Sequence, residues 1–337
     1  MKAYELQPKE GFDALTLVEL AERKSRVLAP NDIRVRVRAV SLNYRDLVIA
    51  RSAAQRSEPI VPTSDGAGEV LEVGSAVSRW KKGDRVAANF FPTWIDGEFS
   101  GEHHPKALGG GQDGMLAEEV VLHESAWVRI PEHLSFEEAS TLPCAGVTAF
   151  NALFRAASLQ AGDTVLVQGT GGVSIFALQL AKAAGARVIL TSSSADKRER
   201  AKQLGADHVL DYKANPKWGE AALAWTQGRG VDIAVEVGGP GTFDQSVAAL
   251  RYGGTMSLLG VLTGTKGEVN TYALFHKTAR VAGVYVGSVA MFDAFNRALS
   301  ASSIKPIIDR TYAFDQARQA YEHLASGQHF GKVVIRL

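Results

Sequence analysis

The residues with the clearest chemical signature are Gly169-Thr170-Gly171-Gly172-Val173-Ser174. They follow a run of apolar strand formers, Thr164–Gln168, and open a segment with Val173, Phe176, Ala177, Leu180 and Ala184 at helical spacing. A first glycine allows a tight strand-to-helix turn, and a second lets backbone N–H groups approach a pyrophosphate. The helix start then offers unpaired donors and a positive dipole end to the anion. Ser174 stands at the third-glycine position and is small enough to keep helix and strand close. The turn therefore reads as a dinucleotide site, with Gly169, Gly171, Gly172 and Val173 as its contacts.

The end of the next strand bears on which dinucleotide binds. An Asp or Glu there would bind free ribose hydroxyls. The chain instead reads Thr191-Ser192-Ser193-Ser194, with Lys197 and Arg198 just beyond. Hydroxyls and a cation suit a 2′-phosphate, and no carboxylate is present to repel it. Ser192, Ser193 and Lys197 are accordingly read as contacts to NADP. The same serines could cap the helix that follows, and both readings can hold together.

These residues need elements to position them. From about residue 161 apolar strands alternate with helices: strands at 164–168, 187–191, 208–210, 231–237, 255–259 and 281–286, helices at 173–184, 197–204 and 242–250. Repeated β-α-β predicts a parallel, doubly wound Rossmann sheet. The first third is β-rich. Ile33, Val35, Val37 and Ala39 alternate with Arg34, Arg36 and Arg38, the period of a half-buried strand. Further strands are expected at 66–74 and 85–88. Residues 90–112 are rich in Gly, Pro and His without period, and read as a long surface loop. Helical patterns near 295–299 and 314–324 precede a strand at 332–337.

Bulk composition excludes several classes. Hydrophobic residues make up 46% and charged residues 22% of 337, the balance of a globular protein with two cores. With 37 basic against 36 acidic residues the net charge is +1, so no basic excess exists to hold nucleic acid. One cysteine, Cys144, permits no internal disulfide and no site built from several thiolates. The first residues have no apolar signal core, and the longest uncharged stretch, 164–181, contains the glycine turn. No membrane partner and a cytoplasmic location are expected.

The ordered motifs resemble the medium-chain dehydrogenase/reductase superfamily, in particular its zinc-free, quinone-oxidoreductase-like branch. They are Pro30-Asn31-Asp32, Asn43-Tyr44-Arg45-Asp46, Asp65-Gly66-Ala67-Gly68-Glu69-Val70, Gly83-Asp84-Arg85-Val86, Gly146-Val147-Thr148-Ala149, the glycine turn, Leu204-Gly205-Ala206-Asp207 and Gly331-Lys332-Val333-Val334. The resemblance implies a discontinuous GroES-like catalytic domain, 1–127 with 288–337, around a Rossmann domain at 128–287. It also implies a homodimer or homotetramer, often through adjoining Rossmann sheets.

Zinc-using relatives carry Cys, His and Cys where this chain has Asn43, Ser64 and Cys144, with an acidic residue at Asp65. A catalytic zinc takes three protein ligands and an open position, which this set falls short of. His103-His104 are read as solvated, and Cys144 as a small core residue. Without a Lewis acid, the remaining family chemistry is hydride transfer from NADPH to a quinone or an α,β-unsaturated carbonyl. Asn43 and Tyr44 fall where the family lines the cleft beneath the nicotinamide, as hydrogen-bonding residues, with Tyr44 a candidate proton donor or an aromatic wall. By the same resemblance Thr148 touches the nicotinamide-side phosphate or ribose, and Tyr212 the adenosine phosphate. Val237, Gly260 and Val261 end the fourth and fifth strands, Tyr285 and Val286 position the carboxamide, and Lys332 reaches a ribose or phosphate. Phe91 and Trp94 are read as walls of the acceptor pocket. The competing readings are a zinc alcohol dehydrogenase with unusual ligands and a non-catalytic NADPH-binding protein.

Overall fold

The computed structural model describes residues 1–20 and 27–337. Internal contacts divide the chain into two compact units, Met1–Val147 with Val286–Leu337, and Thr148–Tyr285. Residues 128–147, expected with the second domain, cluster with the first unit. The division falls inside an unforeseen helical stretch, Leu142–Gly146, Val147–Phe150 and Asn151–Ala156, whose wide π-type turns interrupt ordinary helical spacing.

The first unit is built on a seven-stranded sheet. Its longest strand, Asp32–Leu42, lies antiparallel between Lys332–Arg336 and Asp65–Val73. Arg85–Ala88 and Trp127–Arg129 extend the sheet on one side, Ile308–Ala313 on the other, and Glu119–His123 also pairs with Asp32–Leu42. Ile33, Val35 and Val37 enter the core as the alternation predicts. Arg34 departs from it. Only 7% exposed, it is flanked by Glu72 at 3.3 Å and Glu119 at 3.6 Å on the two neighbouring strands, so its charge is paired where it is desolvated.

Residues 90–112 are not a featureless surface loop. Phe90, Phe91, Trp94, Phe99 and His103 pack edge to face or stacked, with Phe91 and Trp94 each 5.0 Å from Phe99 between ring centroids. Phe91 and Trp94 are buried in this cluster, which corrects their reading as walls of an acceptor pocket. His103 is also buried, its Nδ1 3.0 Å from Thr93 Oγ1, while His104 is exposed as expected.

The second unit alternates strands and helices: β1 (Thr164–Gln168), α1 (Gly172–Ala183), β2 (Arg187–Thr191), α2 (Ala195–Gln203), β3 (His208–Leu210), α3 (Trp218–Trp225), β4 (Val231–Glu236), α4 (Pro240–Ala249), β5 (Leu250–Leu258), α5 (Thr271–His276) and β6 (Arg280–Gly283). The sheet order is β3-β2-β1-β4-β5-β6, every neighbouring pair parallel. That is the Rossmann order, whose winding reverses between β1 and β4. Both of those strands are wholly buried, the environment that makes their sequences run apolar rather than alternate. Several boundaries differ from expectation. α2 starts at Ala195 because Ser194 caps it, β5 starts at Leu250, and β6 ends before Tyr285.

Candidate active site

At the glycine turn, Gly169 has φ +70°, a left-handed conformation that β-carbon crowding disfavours in other residues, and its N–H donates to Thr191 O. Gly171 is the N-cap of α1 and Gly172 its first residue. Neither offers a side-chain cap, so the first N–H groups of a twelve-residue helix keep their capacity for an anion. Ser174 is 3% exposed and its hydroxyl donates to Gln168 O at 2.6 Å. The serine thus ties α1 back to β1, where a third glycine would only permit the approach. This cradle fits a dinucleotide pyrophosphate.

Beyond β2, Ser192 is 5% exposed and its N–H donates to Leu210 O, joining the ends of β2 and β3. Ser194 accepts from Lys197 N and is the serine that caps α2. Ser193 and Lys197 are half-buried beside it, and Tyr212, just past β3, is 40% exposed. The ends of these two strands therefore bring Ser192, Ser193, Lys197 and Tyr212 to one edge of the sheet.

Val237, Gly260 and Val261 meet at the carboxyl edge of β4 and β5. A β-carbon on Gly260 would lie 2.0 Å from Val237 O, so only glycine permits that approach. Sequence reading missed what holds this edge: Gln168 and Glu236, the last residues of β1 and β4. Gln168 Nε2 donates to Glu236 Oε2 at 2.5 Å, and its Oε1 accepts from Val237 N and Gly238 N. Glu236, fully buried, accepts from Gly238 N, Gly239 N, Thr242 Oγ1 and Ser246 Oγ. A polar residue closing each of these two strands was the available signal. Thr148 is buried on the π-turned helical stretch, Tyr285 is exposed past β6, and Val286 adopts φ +56° in the first unit.

In the first unit Asn43 is the N-cap of the helix Tyr44–Arg51, its N–H donating to Asp46 Oδ2 at 2.7 Å. Burial pushes the Asp46 carboxyl up to about 6, against the opposing pull of Arg45 and of that N–H. Tyr44 is 44% exposed. Lys332, expected to reach a ribose or phosphate, does not. It is 3% exposed, and its Nζ donates to Leu42 O at 2.7 Å and Asn43 Oδ1 at 2.6 Å, with Asp65 Oδ2 4.0 Å away. The strand pairing between Lys332–Arg336 and Asp32–Leu42 turns the ammonium inward, where these oxygens compensate its desolvation. Asn43 Nδ2 is buried with no partner among the described residues.

Asp65, wholly buried, also accepts from Ser64 Oγ at 2.7 Å and from Cys144 N at 3.2 Å. Burial, reinforced by the Asp65 carboxylate, raises the Cys144 thiol far above its ordinary range. The set formed by Asn43, Ser64, Asp65 and Cys144 offers one carboxylate and one thiol beside an amide and a hydroxyl, which does not fit the three protein ligands of a catalytic zinc. An ammonium is the cation these oxygens hold. Among the described residues no group of three His, Cys, Asp or Glu side chains could hold a metal ion.

A parallel sheet in Rossmann order and a β-rich unit assembled from two separated segments define a two-unit dehydrogenase architecture. Comparison with known proteins agrees. The family described as alcohol dehydrogenase GroES-like domain matches residues 29–132, and that described as zinc-binding dehydrogenase matches 172–302. A zinc-type alcohol dehydrogenase-like protein of Schizosaccharomyces pombe is 43% identical over 335 residues, covering 97% of this chain and 96% of its own. A quinone oxidoreductase of Pseudomonas aeruginosa is 31% identical, covering 91% of each chain. The crystal structure of a putative alcohol dehydrogenase from Sinorhizobium meliloti superposes with TM-score 0.92 at 40% identity, covering 100% of this chain and 99% of its own. The chain belongs to the medium-chain dehydrogenase/reductase superfamily and is an oxidoreductase. No described helix is long and apolar enough to cross a membrane.

Proposed function

We propose that this protein is a zinc-independent reductase that uses NADPH to reduce a quinone or an α,β-unsaturated carbonyl. The observation that carries the proposal is the buried Lys332 ammonium, held by Asn43 Oδ1 and Leu42 O beside Asp65. It stands among the residues that replace the metal ligands of zinc-using relatives. A polarising metal at that point would have to displace a paired cation. Electron-poor acceptors are reduced without such a Lewis acid, because their own conjugation takes up the negative charge.

A dinucleotide held here would supply the hydride, so that the acceptor would gain two electrons and a proton drawn from the medium would complete the reduction. The backbone around Gly169, Gly171, Gly172 and Val173 binds the pyrophosphate, and Ser192, Ser193, Lys197 and Tyr212 take the 2′-phosphate end. Val237, Gly260 and Val261 form the floor for the nicotinamide, with Thr148, Tyr285 and Val286 at its ribose and carboxamide. The unpartnered Asn43 Nδ2 is oriented as a donor because Lys332 claims Oδ1, and it stabilises negative charge developing on the acceptor oxygen. Tyr44 relays the proton. The protein acts in the cytoplasm as a homodimer or homotetramer, joined at the β6 edge, where Tyr252, Tyr272 and Phe275 are each more than 60% exposed.

Purified protein assayed with NADPH and NADH against a panel of quinones and enones tests the reading. Oxidation of NADPH by at least one acceptor class, unaffected by chelator, is expected. No turnover with any acceptor, or alcohol oxidation that tracks stoichiometric zinc, would overturn it.

A further inference from the structure

Arg198 on α2 was noticed in the sequence only as a neighbour of Lys197. Its Nη1 donates twice, to Ser192 O at 2.7 Å and to Asp211 Oδ2 at 2.8 Å. Those bonds use both hydrogens of one nitrogen. A guanidinium carries five N–H donors, and the three on Nε and Nη2 form no hydrogen bond within the protein among the described residues. They constitute the planar fork that pairs bidentately with a phosphate. An ordinary exposed Arg–Asp pair contributes little to stability. This pair instead anchors the cation at one corner, at the end of the strand carrying Ser192, and leaves Nε and Nη2 without a hydrogen-bond partner among the described residues.

Asp211 serves more than Arg198. Its Oδ1 accepts from Lys213 N and Ala214 N at 3.0 Å each, shaping the turn that carries Tyr212. The carboxyl is held below its usual range, first by the Ala214 N–H, with Lys213 N–H and Arg198 adding to the effect. One carboxylate thus fixes both a guanidinium from α2 and a half-exposed tyrosine from the end of β3. It would repel a phosphate were its charge not already matched by Arg198.

We propose that Arg198 is a specificity-determining residue that grips the 2′-phosphate of the dinucleotide through Nε and Nη2, and that Asp211 is the positioning residue that aims it together with Tyr212. The proposal rests on the NADP reading given above and names the residue that enforces it. Lys197 supplies a point charge to the same group; Arg198 supplies the directional contact.

The test compares cofactors rather than overall activity. In the R198L enzyme KM for NADPH rises by about tenfold, the worth of one charge-assisted contact, while kcat and KM for NADH stay within twofold of wild type. R198K keeps the charge without the fork and recovers part of the loss. D211A loosens both the arm and the Tyr212 turn, and raises KM for NADPH with kcat retained. Inhibition by adenosine 2′,5′-bisphosphate weakens in R198L, and inhibition by adenosine 5′-monophosphate does not. Equal loss with both cofactors, or no loss in R198L, would overturn the role of Arg198 while leaving NADP use standing. A wild-type enzyme indifferent to the 2′-phosphate, by cofactor preference and by bisphosphate inhibition, would sink the NADP reading and this inference together.

Discussion

Lys332 and Asp46 show how single charges behave once buried in the first unit. Replacing Lys332 by methionine leaves the Asp65 carboxylate fully buried without its cation. Breaking a buried pair in this way costs roughly 3–5 kcal/mol. Denaturant unfolding should show a loss of that order for K332M, and adding D65N should restore part of it. Equal stability of K332M and wild type would mean that the ammonium does not compensate Asp65. Asp46 gives a pH signature. Its folded value of about 6 lies above the ordinary 3.8, so the folded state holds its proton more tightly than the unfolded chain. Stability then falls as pH rises from about 4 to about 6 and levels off above, by at most about 3 kcal/mol at roughly 1.4 kcal/mol per pH unit. D46N, which keeps a carbonyl oxygen for Asn43 N–H, should lose less over that window; parallel curves would count against the shift. Neither residue's role was legible beforehand, because burial of a charge depends on which strands pair and not on local period.

At the scale of elements, β1 and β2 occupy the residues expected of them and α1 differs by one at each end. Apolar runs, helical spacing and glycine stops are local signals, and local signals survive folding. A polar residue closes each of β1 and β4, but that these two, Gln168 and Glu236, meet across 68 residues of chain and join Ser246 depends on which strands become neighbours. Arg34 was misplaced for a similar reason: its two acidic partners sit on different strands. Ser174 supports a prediction that runs against the fingerprint. Restoring the third glycine by S174G removes the hydrogen bond to Gln168 O and puts glycine in a helix, together costing about 1–2 kcal/mol. Thermal unfolding of the unliganded variant should fall accordingly, with no gain in NADPH affinity. A more stable variant would mean that the serine is merely tolerated.

For the whole molecule, two compact units and a superfamily were legible from ordered motifs, while the aromatic packing of residues 90–112 was not, since it has no period to read. The proposed assembly can be probed at the second unit. β6 is an edge strand, and Tyr272 and Phe275 on α5 form an exposed aromatic pair, 5.0 Å between centroids, with His276 stacked on Tyr272. F275D should lower the mass measured by light scattering, from dimer or tetramer toward a smaller species, with the monomeric fold retained. An unchanged mass would place the interface elsewhere. The sheet of the first unit has a different consequence, one of timing. Its central strand Asp32–Leu42 is made early by the ribosome, yet one of its three antiparallel partners is Lys332–Arg336. All of the second unit's strands are synthesised in between, so that unit can fold while the first still lacks a strand and the ammonium beside Asn43. The sheet of the first unit is therefore finished last, and a ribosome stalled short of residue 332 would display a nascent chain whose second unit has all its strands while Asp32–Leu42 still lacks Lys332–Arg336 at its side.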